Sequence, residues 1–246
     1  MEYRKWWSPA LGRDMELKVY GHAGKPVLVF PSGGGRFFEY EDFGMVEACR
    51  PFLEAGRVQL FALDSIDHES LYNHGLPPSE RIRRHERYER YVLEEAVPFV
   101  RDRNGSTSAL MTTGCSGGGY HAANFLFRRP DVFDSVIALS GLYGPRFAFK
   151  DVWDDCMYFH FPLAYLPGLD DPRQLALIRR ARIVLCVGLG DWERCDDYDC
   201  IGDIEAMKAV LEDKGIGAWV DFWGRDVNHD WVWWRRQMPY FLGHLV

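Results

Sequence analysis

The residues with the clearest chemical potential are Gly114-Cys115-Ser116-Gly117-Gly118, between an apolar run and a helix-like run. In this strand–turn–helix context the G-x-S-x-G spacing is typical of a nucleophile elbow, a sharp turn that presents a serine hydroxyl at a strand end. The outer glycines leave room where strand and helix approach each other. The pattern predicts that Ser116 is a nucleophile and that the Gly117 amide faces a developing oxyanion. A plain glycine-rich turn or a phosphate cradle is the alternative interpretation.

A nucleophilic serine needs a base, and an imidazole base needs a carboxylate that orients it. Of the eight histidines, His229 follows the last predicted strand and lies downstream of acidic residues at another strand end. Asp191 and Glu193 are the candidates for the acid, each three residues beyond a glycine, and Asp64 is a distant third. The order serine, acid, histidine is that of α/β-hydrolase triads. The spacing leaves the choice between Asp191 and Glu193 open.

A second glycine-rich loop, Ser32-Gly33-Gly34-Gly35-Arg36, follows the continuously apolar run 26–31. A loop at the carboxyl end of a buried strand can point backbone amides at a ligand, and it is predicted to supply a second oxyanion donor. The Gly-x4-Gly-Lys-Ser/Thr pattern of a phosphate-binding loop is absent.

The elements that must position these residues alternate between strand-like and helix-like patterns. Strands are predicted at 15–22, 26–31, 58–64, 109–113, 136–140, 183–187 and 219–223. Helices are predicted at 79–101 with Ser79 as N-cap, after the elbow, at 203–214 and after residue 230. This alternation predicts an α/β fold with a mostly parallel central sheet and helices on both faces. Ligand chemistry in such sheets lies at the carboxyl ends of the strands, where the glycine loop, the serine, the acidic turn and His229 are expected.

Residues 1–246 contain no linker or repeat and are predicted to form a single domain with a substantial core. Residues 141–180 show no clear period and are rich in aromatic residues, proline and aspartate. Such a long irregular segment is usually functional, so it is predicted to form a cap-like insertion over the site. Five aromatic side chains are expected to form pocket walls: Phe37, Phe38, Tyr72, Tyr120 and Trp192.

The bulk properties exclude several functions. A formal net charge of −7 argues against a general nucleic-acid or anionic-membrane surface. No apolar run approaches the roughly 20 residues that span a bilayer, and the first residues lack the apolar core of a signal peptide. The six cysteines are scattered, as expected for reduced thiols in a cytoplasmic protein. The acidic run 195–200 lacks zinc and calcium ligand patterns, so no metal is expected.

With these residues assembled, the chain resembles the putative-esterase branch of the α/β hydrolases. That branch contains the esterase D and S-formylglutathione hydrolase enzymes, feruloyl-type carbohydrate esterases and mycolyltransferases. The specific blocks are GCSGGGYHAANFLFRRPDVFDSVIALSG and VNHDWVWWRRQMPYFL. Supporting blocks are SPALGRDMELKVYG, VLVFPSGGGRFFEYEDFGM and RYERYVLEEAVPF, so the resemblance runs nearly end to end.

The resemblance implies an α/β-hydrolase fold with Ser116 as nucleophile and His229 as base. It favours Glu193 over Asp191 as the acid. It also implies oxyanion donors at the Gly117 amide and in the region of Gly34 and Gly35. Position 117 more often carries a bulkier residue, such as Met or Phe, in the relatives.

The expected activity is hydrolysis of small or medium carboxylic esters or thioesters through an acyl-Ser116 intermediate, with His229 as acid–base and no cofactor. Acyl transfer to an alcohol is a close alternative, because only the acceptor differs. A catalytically idle α/β hydrolase that binds a ligand or protein is another alternative, which the intact Ser116 and His229 oppose. The expected partner is a small-molecule ester. The sequence leaves the oligomeric state open, a homo-oligomer included.

Overall fold

A computed structural model describes all 246 residues of the chain, which form one eight-stranded sheet in the order β1-β2-β4-β3-β5-β6-β7-β8. The strands are β1 (Glu2–Ser8), β2 (Arg13–Tyr20), β3 (Lys25–Phe30), β4 (Val58–Leu63), β5 (Leu110–Cys115), β6 (Phe133–Leu139), β7 (Arg182–Val187) and β8 (Trp219–Phe222). The pairs β1–β2 and β2–β4 are antiparallel, and every other pair is parallel. The predicted α/β fold with a mostly parallel sheet is confirmed.

Helices cover both faces of this sheet. They are α1 (Glu39–Asp42), α2 (Met45–Ala48), α3 (Arg50–Glu54), α4 (Pro78–Tyr91), α5 (Val97–Asn104), α6 (Gly117–Arg128), α7 (Arg146–Phe149), α8 (Pro162–Tyr165), α9 (Pro172–Ile178), α10 (Cys200–Asp213) and α11 (Trp231–Leu245). None of them combines the length and the apolar character that crossing a membrane requires.

Alternate residues of the central strand β3 belong to two separate apolar clusters. Leu28 and Phe30 belong to a cluster that includes residues of α4, α6 and α10, whereas Val27 and Val29 belong to a second cluster that includes residues of α2, α3 and α11. Because successive side chains of a strand point to opposite faces, a strand covered on both sides is continuously apolar. The run 26–31 is therefore apolar throughout.

The first strand, β1, is not among the predicted strands. It pairs antiparallel with β2 at the edge of the sheet, with Trp6 opposite Met15, and most of its residues are partly or fully exposed. An edge strand with so few buried side chains lacks the apolar pattern that marks a strand in sequence.

The helix predicted at 79–101 is interrupted and begins one residue earlier. It consists of α4, a π-helical turn at Val92–Ala96 and α5. Pro98 has no amide hydrogen to donate within the helix, which accounts for a local change in hydrogen bonding just before it. The prediction of Ser79 as N-cap is wrong, because Pro77 holds that position and Pro78 is the first helical residue. Proline suits a first turn, where an amide hydrogen would have no partner.

The segment 141–180 is more regular than predicted. It lies between β6 and β7 and contains α7, α8 and α9, with 3₁₀ turns at Asp155–His160 and Leu166–Gly168. None of these pieces exceeds seven residues. Helices of two turns or fewer do not repeat an apolar period often enough to be recognised in sequence.

Candidate active site

Ser116 lies at the turn between β5 and α6 with φ 56° and ψ −123°, a conformation that non-glycine residues rarely adopt. Its amide donates to Leu139 O at 2.8 Å, and its carbonyl accepts from the Tyr120 amide at 3.1 Å. These bonds to β6 and to the first turn of α6 hold the strained residue in place. The turn therefore has the backbone geometry that the G-x-S-x-G motif predicts.

The glycines of the elbow allow its close packing. A Cβ atom on Gly118 would lie 2.5 Å from the carbonyl oxygens of Phe30 and Pro31, and a Cβ atom on Gly114 would overlap the Gly118 backbone. Helix α6 thus packs directly on the backbone of β3 and β5, which only residues without side chains allow.

His229 and Glu193 form a largely buried hydrogen-bonded pair in the loops that follow β8 and β7. Glu193 Oε2 lies 2.9 Å from His229 Nδ1, and the two side chains are 1% and 10% exposed. Glu193 Oε1 also accepts from Ser140 Oγ at 2.7 Å and from the Gly188 amide at 3.1 Å. In turn, Trp234 Nε1 donates to Ser140 Oγ at 3.0 Å. Because a carboxylate only accepts, His229 Nδ1 is the donor of this bond, and in a neutral imidazole Nε2 then keeps a lone pair.

Asp191, the other acid candidate, contacts the histidine only through backbone. Its carbonyl accepts from the His229 amide at 3.0 Å, and its own amide donates to Asn228 Oδ1 at 2.8 Å. The third candidate, Asp64, is bonded to Arg36 Nε at 2.6 Å instead of to a histidine. Neither carboxylate is bonded to the imidazole, so the structure pairs Glu193 with His229.

Ser116 and His229 line the same cavity, which has a volume of about 520 Å³. The remaining wall mixes apolar and charged side chains: Ser32, Gly33, Tyr72, His74, Leu142, Phe147, Lys150, Asp197, Tyr198, Asp230, Trp231 and Trp234. Three of these residues, Leu142, Phe147 and Lys150, come from the first part of the predicted cap segment. The cavity thus gathers loops that follow several parallel strands.

Of the aromatic residues expected to form the wall, only Tyr72 does so. Phe37 is buried against Phe38 with ring centroids 5.1 Å apart, away from the cavity. Tyr120 is fully buried and donates its hydroxyl to His160 O at 2.9 Å. Trp192 is 69% exposed and lies outside the cavity. Aromatic type and nearness in sequence did not show which rings turn toward the site.

The glycine loop contributes an amide, but not the one expected. Gly34 donates to Asp67 Oδ2 at 3.4 Å and Gly35 donates to Ser32 O at 2.8 Å, so both amides have internal acceptors. Gly33 lines the cavity, and its nitrogen lies 3.0 Å from where a Cβ on Gly117 would stand. The amides of Gly33 and Gly117 have no acceptor in the protein. Gly33, not Gly34 or Gly35, therefore offers a free amide beside Gly117.

A buried pair that no sequence pattern indicates supports this loop. His121 Nε2 lies 3.0 Å from Asp67 Oδ1, and both side chains are at most 2% exposed. Burial alone would raise the pKa of Asp67, but the contact with His121 and the Gly34 amide hold this pKa below its usual value. The ionised Asp67 thus ties the glycine loop to α6. No local pattern links positions 67 and 121, which only the fold brings together.

Two clusters contain ligand atoms close enough to hold a metal ion, His85–Glu89–His160 and Glu193–Cys200–His229. In the first cluster the Arg128 guanidinium donates to Glu89, so a cation would face a fixed positive charge. In the second cluster the carboxylate is already shared among His229, Ser140 and the Gly188 amide. Hydrogen bonds within the protein account for both clusters.

Comparison with known proteins gives the same family that the sequence motifs resemble. Residues 8–245 match the family model described as Putative esterase. No curated protein matches the chain in sequence.

Solved structures with this fold include several hydrolases. A ferulic acid esterase superposes with a TM-score of 0.75 at 17% identity, covering 99% of this chain and 95% of that chain. An S-formylglutathione hydrolase from Agrobacterium tumefaciens superposes with a TM-score of 0.74 at 18% identity, covering 98% of this chain and 92% of that chain. FphF, a fluorophosphonate-binding serine hydrolase of Staphylococcus aureus, superposes with a TM-score of 0.69 at 15% identity, covering 99% of this chain and 96% of that chain. Together with the family match over nearly the whole chain, these structures show that the protein belongs to the Putative esterase family of the α/β hydrolases.

Proposed function

We propose that this protein is a serine esterase that cleaves small or medium carboxylic esters or thioesters through an acyl-Ser116 intermediate. The observation that carries the proposal is that Ser116, on a strained elbow, and His229, bonded to the buried Glu193, line one cavity. Membership of an esterase family supports the same reaction class.

In the acylation half of the reaction, Glu193 holds the His229 tautomer whose Nε2 accepts a proton. Nε2 takes the proton of Ser116 Oγ as this oxygen bonds to the substrate carbonyl carbon. The carbonyl oxygen becomes an oxyanion, for which the free amides of Gly117 and Gly33 are the proposed donors. The imidazolium then gives its proton to the departing alcohol or thiol.

In the deacylation half, a water molecule replaces the alcohol or thiol. His229 takes a proton from the water as its oxygen attacks the acyl carbon, and a second tetrahedral oxyanion forms against the same amides. Collapse of this intermediate breaks the bond to Ser116 Oγ, and His229 returns the proton to this oxygen. The products are a carboxylic acid and the free enzyme, and no cofactor takes part in these steps.

The cavity supports a substrate of limited size with both apolar and polar parts. Its volume of about 520 Å³ lies within the range of small-molecule sites, and Leu142, Phe147 and Trp231 supply an apolar wall. The exposed pair Lys150–Asp197, with 3.3 Å between Nζ and Oδ1, also lines the cavity. For its location we propose a reducing compartment such as the cytoplasm, since all six cysteines are free.

Labelling with a fluorophosphonate, followed by intact-protein mass spectrometry, tests the proposal. We expect one adduct per chain on the wild type, none on Ser116→Ala and strongly slowed labelling of His229→Ala. Ser32→Ala is a matched control, because Ser32 lines the same cavity but bonds to the Glu39 carboxylate. This variant should still be labelled. A folded wild-type protein that acquires no adduct and hydrolyses no activated ester would overturn the proposal.

A further inference from the structure

The hydroxyl of Tyr72 lies where the two free amides of the site come together. A Cβ atom on Gly117 would stand 2.9 Å from Tyr72 Oη and 3.0 Å from the Gly33 nitrogen, and a Cβ atom on Gly33 would collide with the same hydroxyl oxygen. The Tyr72 ring lines the cavity that contains Ser116. A side-chain donor therefore stands beside both proposed backbone donors.

This hydroxyl is available to a ligand. Tyr72 Oη makes no hydrogen bond with any protein group, whereas the hydroxyl of Tyr198 in the same cavity donates to Trp192 O at 3.0 Å. Burial, and the nearby Asp67 carboxylate, raise the pKa of Tyr72 above its usual range, so the phenol keeps its proton. Tyr72 is half-buried and its hydroxyl has no protein partner, so this donor is free to bond a ligand or water in the cavity.

The absence of a side chain at position 117 makes this placement possible. Any Cβ atom at position 117 would press on Tyr72 Oη. On its other side the Tyr72 ring packs against Phe147, with ring centroids 6.0 Å apart at 59°. Gly117, Tyr72 and Phe147 thus form one packed unit that directs the hydroxyl toward the elbow.

We propose that Tyr72 is a catalytic residue that donates its hydroxyl to the reaction's oxyanion, together with the Gly117 and Gly33 amides. This inference rests on the proposed esterase function. As Ser116 Oγ bonds to the carbonyl carbon, the π electron pair moves onto the carbonyl oxygen, which accepts a hydrogen bond from Tyr72. The phenol keeps its proton throughout, and the bond weakens as the carbonyl re-forms and the leaving group departs. A donor aimed at charge that develops only in the transition state raises kcat more than it lowers KM.

The variant Tyr72→Phe removes the hydroxyl and keeps the ring against Phe147. With a p-nitrophenyl ester as substrate, we expect kcat to fall on the order of 100-fold, as for loss of one oxyanion donor, while KM changes little. Affinity for a trifluoromethyl ketone, which forms an oxyanion on Ser116, should fall by a similar factor. Affinity for the carboxylic acid product should stay unchanged. The matched control is Tyr91→Phe on α4, which also removes a buried hydroxyl without a protein partner but lies outside the cavity, and we expect it to retain wild-type kcat.

Several results would overturn the inference. One is a Tyr72→Phe variant with unchanged kcat and unchanged ketone affinity, and another is a variant altered only in KM, which would make Tyr72 a pocket wall. Failure of the proposed function is distinguishable, because Ser116 of the wild type would then acquire no fluorophosphonate adduct. If Tyr72→Phe does not fold, 3,5-difluorotyrosine at position 72 tests the same donor. Its phenol is more acidic, so kcat and the affinity for the trifluoromethyl ketone should both differ from the wild type, and unchanged values of both would contradict the role.

Discussion

Glu193 Oε2 lies 2.9 Å from His229 Nδ1, whereas Asp191, two positions earlier, offers this histidine only its backbone carbonyl. Between them stands Trp192 with φ 65°, a left-handed backbone conformation. The Glu193 side chain is buried in contact with the imidazole, whereas Asp191 is exposed. The turn at Trp192 thus carries one buried and one exposed carboxylate.

The first prediction concerns this pair. We expect Glu193→Gln to lower kcat by roughly 10⁴-fold, because an amide no longer stabilises the imidazolium and can impose the wrong tautomer. The matched control Asp191→Asn should stay within a few-fold of the wild type, since only backbone atoms of Asp191 reach His229. Steady-state hydrolysis of a p-nitrophenyl ester measures both variants. Equal losses in the two variants would show that the acid has been wrongly assigned.

Ser140 holds the carboxylate in place and is itself strained, with φ 48°. It donates to Glu193 Oε1 and accepts from Trp234 Nε1, at 2.7 and 3.0 Å. Ser140→Ala leaves the indole donor unpaired, so we expect a loss of about 1–3 kcal/mol in the free energy of unfolding. We also expect a roughly tenfold lower kcat. Urea unfolding and ester hydrolysis measure the two effects. The control Ser135→Ala, at a buried serine of β6, should leave kcat unchanged. A Ser140→Ala variant with the kcat and stability of the wild type would contradict the positioning role.

Close packing at the elbow predicts a large difference between two glycine substitutions. Gly118→Ala would place a methyl group 2.5 Å from the Phe30 and Pro31 carbonyl oxygens, so we expect a loss of several kcal/mol or failure to fold. At Gly217 a Cβ atom meets no atom within 4 Å, and Gly217→Ala should be neutral or slightly stabilising. Thermal unfolding followed by circular dichroism compares them. A Gly118→Ala protein as stable as the wild type would show that α6 can move away from β3.

Stability should also depend on pH through His85, which is 1% exposed. Burial lowers the pKa of His85 from 6.5 to about 4, so between these values the unfolded chain binds the extra proton. Neutral His85 therefore contributes fully to the free energy of unfolding above about pH 6.5. As the pH falls from there toward 4, the free energy of unfolding decreases by about 3 kcal/mol.

Urea unfolding at several pH values between 7 and 4 measures this contribution. Carboxyl groups titrate in the same range, so the comparison is between the wild type and His85→Gln, which keeps polar atoms near Tyr120 and Glu89. The free energy of unfolding of the variant should fall less steeply with decreasing pH, and the difference in slope should correspond to the uptake of about one proton on unfolding. Identical slopes would show that His85 does not titrate in this way.

Much of the architecture and of the site was predictable from local pattern. The elbow at Ser116 is recognisable because a sharp turn between strand and helix needs glycines at positions close to Ser116 in the sequence. Seven strands were recognisable by their apolar runs or alternation, and His229 by its place after the last of them. The edge strand β1 was not recognisable, because it is defined by its pairing with β2 and has no apolar face.

The tertiary structure decided what depends on contacts between distant parts of the chain. Asp191 and Glu193 lie two positions apart in an irregular turn around Trp192, and only the folded turn buries one side chain and exposes the other. The free amide is that of Gly33, because Asp67 from another loop occupies that of Gly34. Tyr72 faces the elbow because residue 117, forty-five positions away, has no side chain. Local sequence determines backbone conformation through short-range sterics, whereas the partner of each polar atom is chosen when distant segments pack.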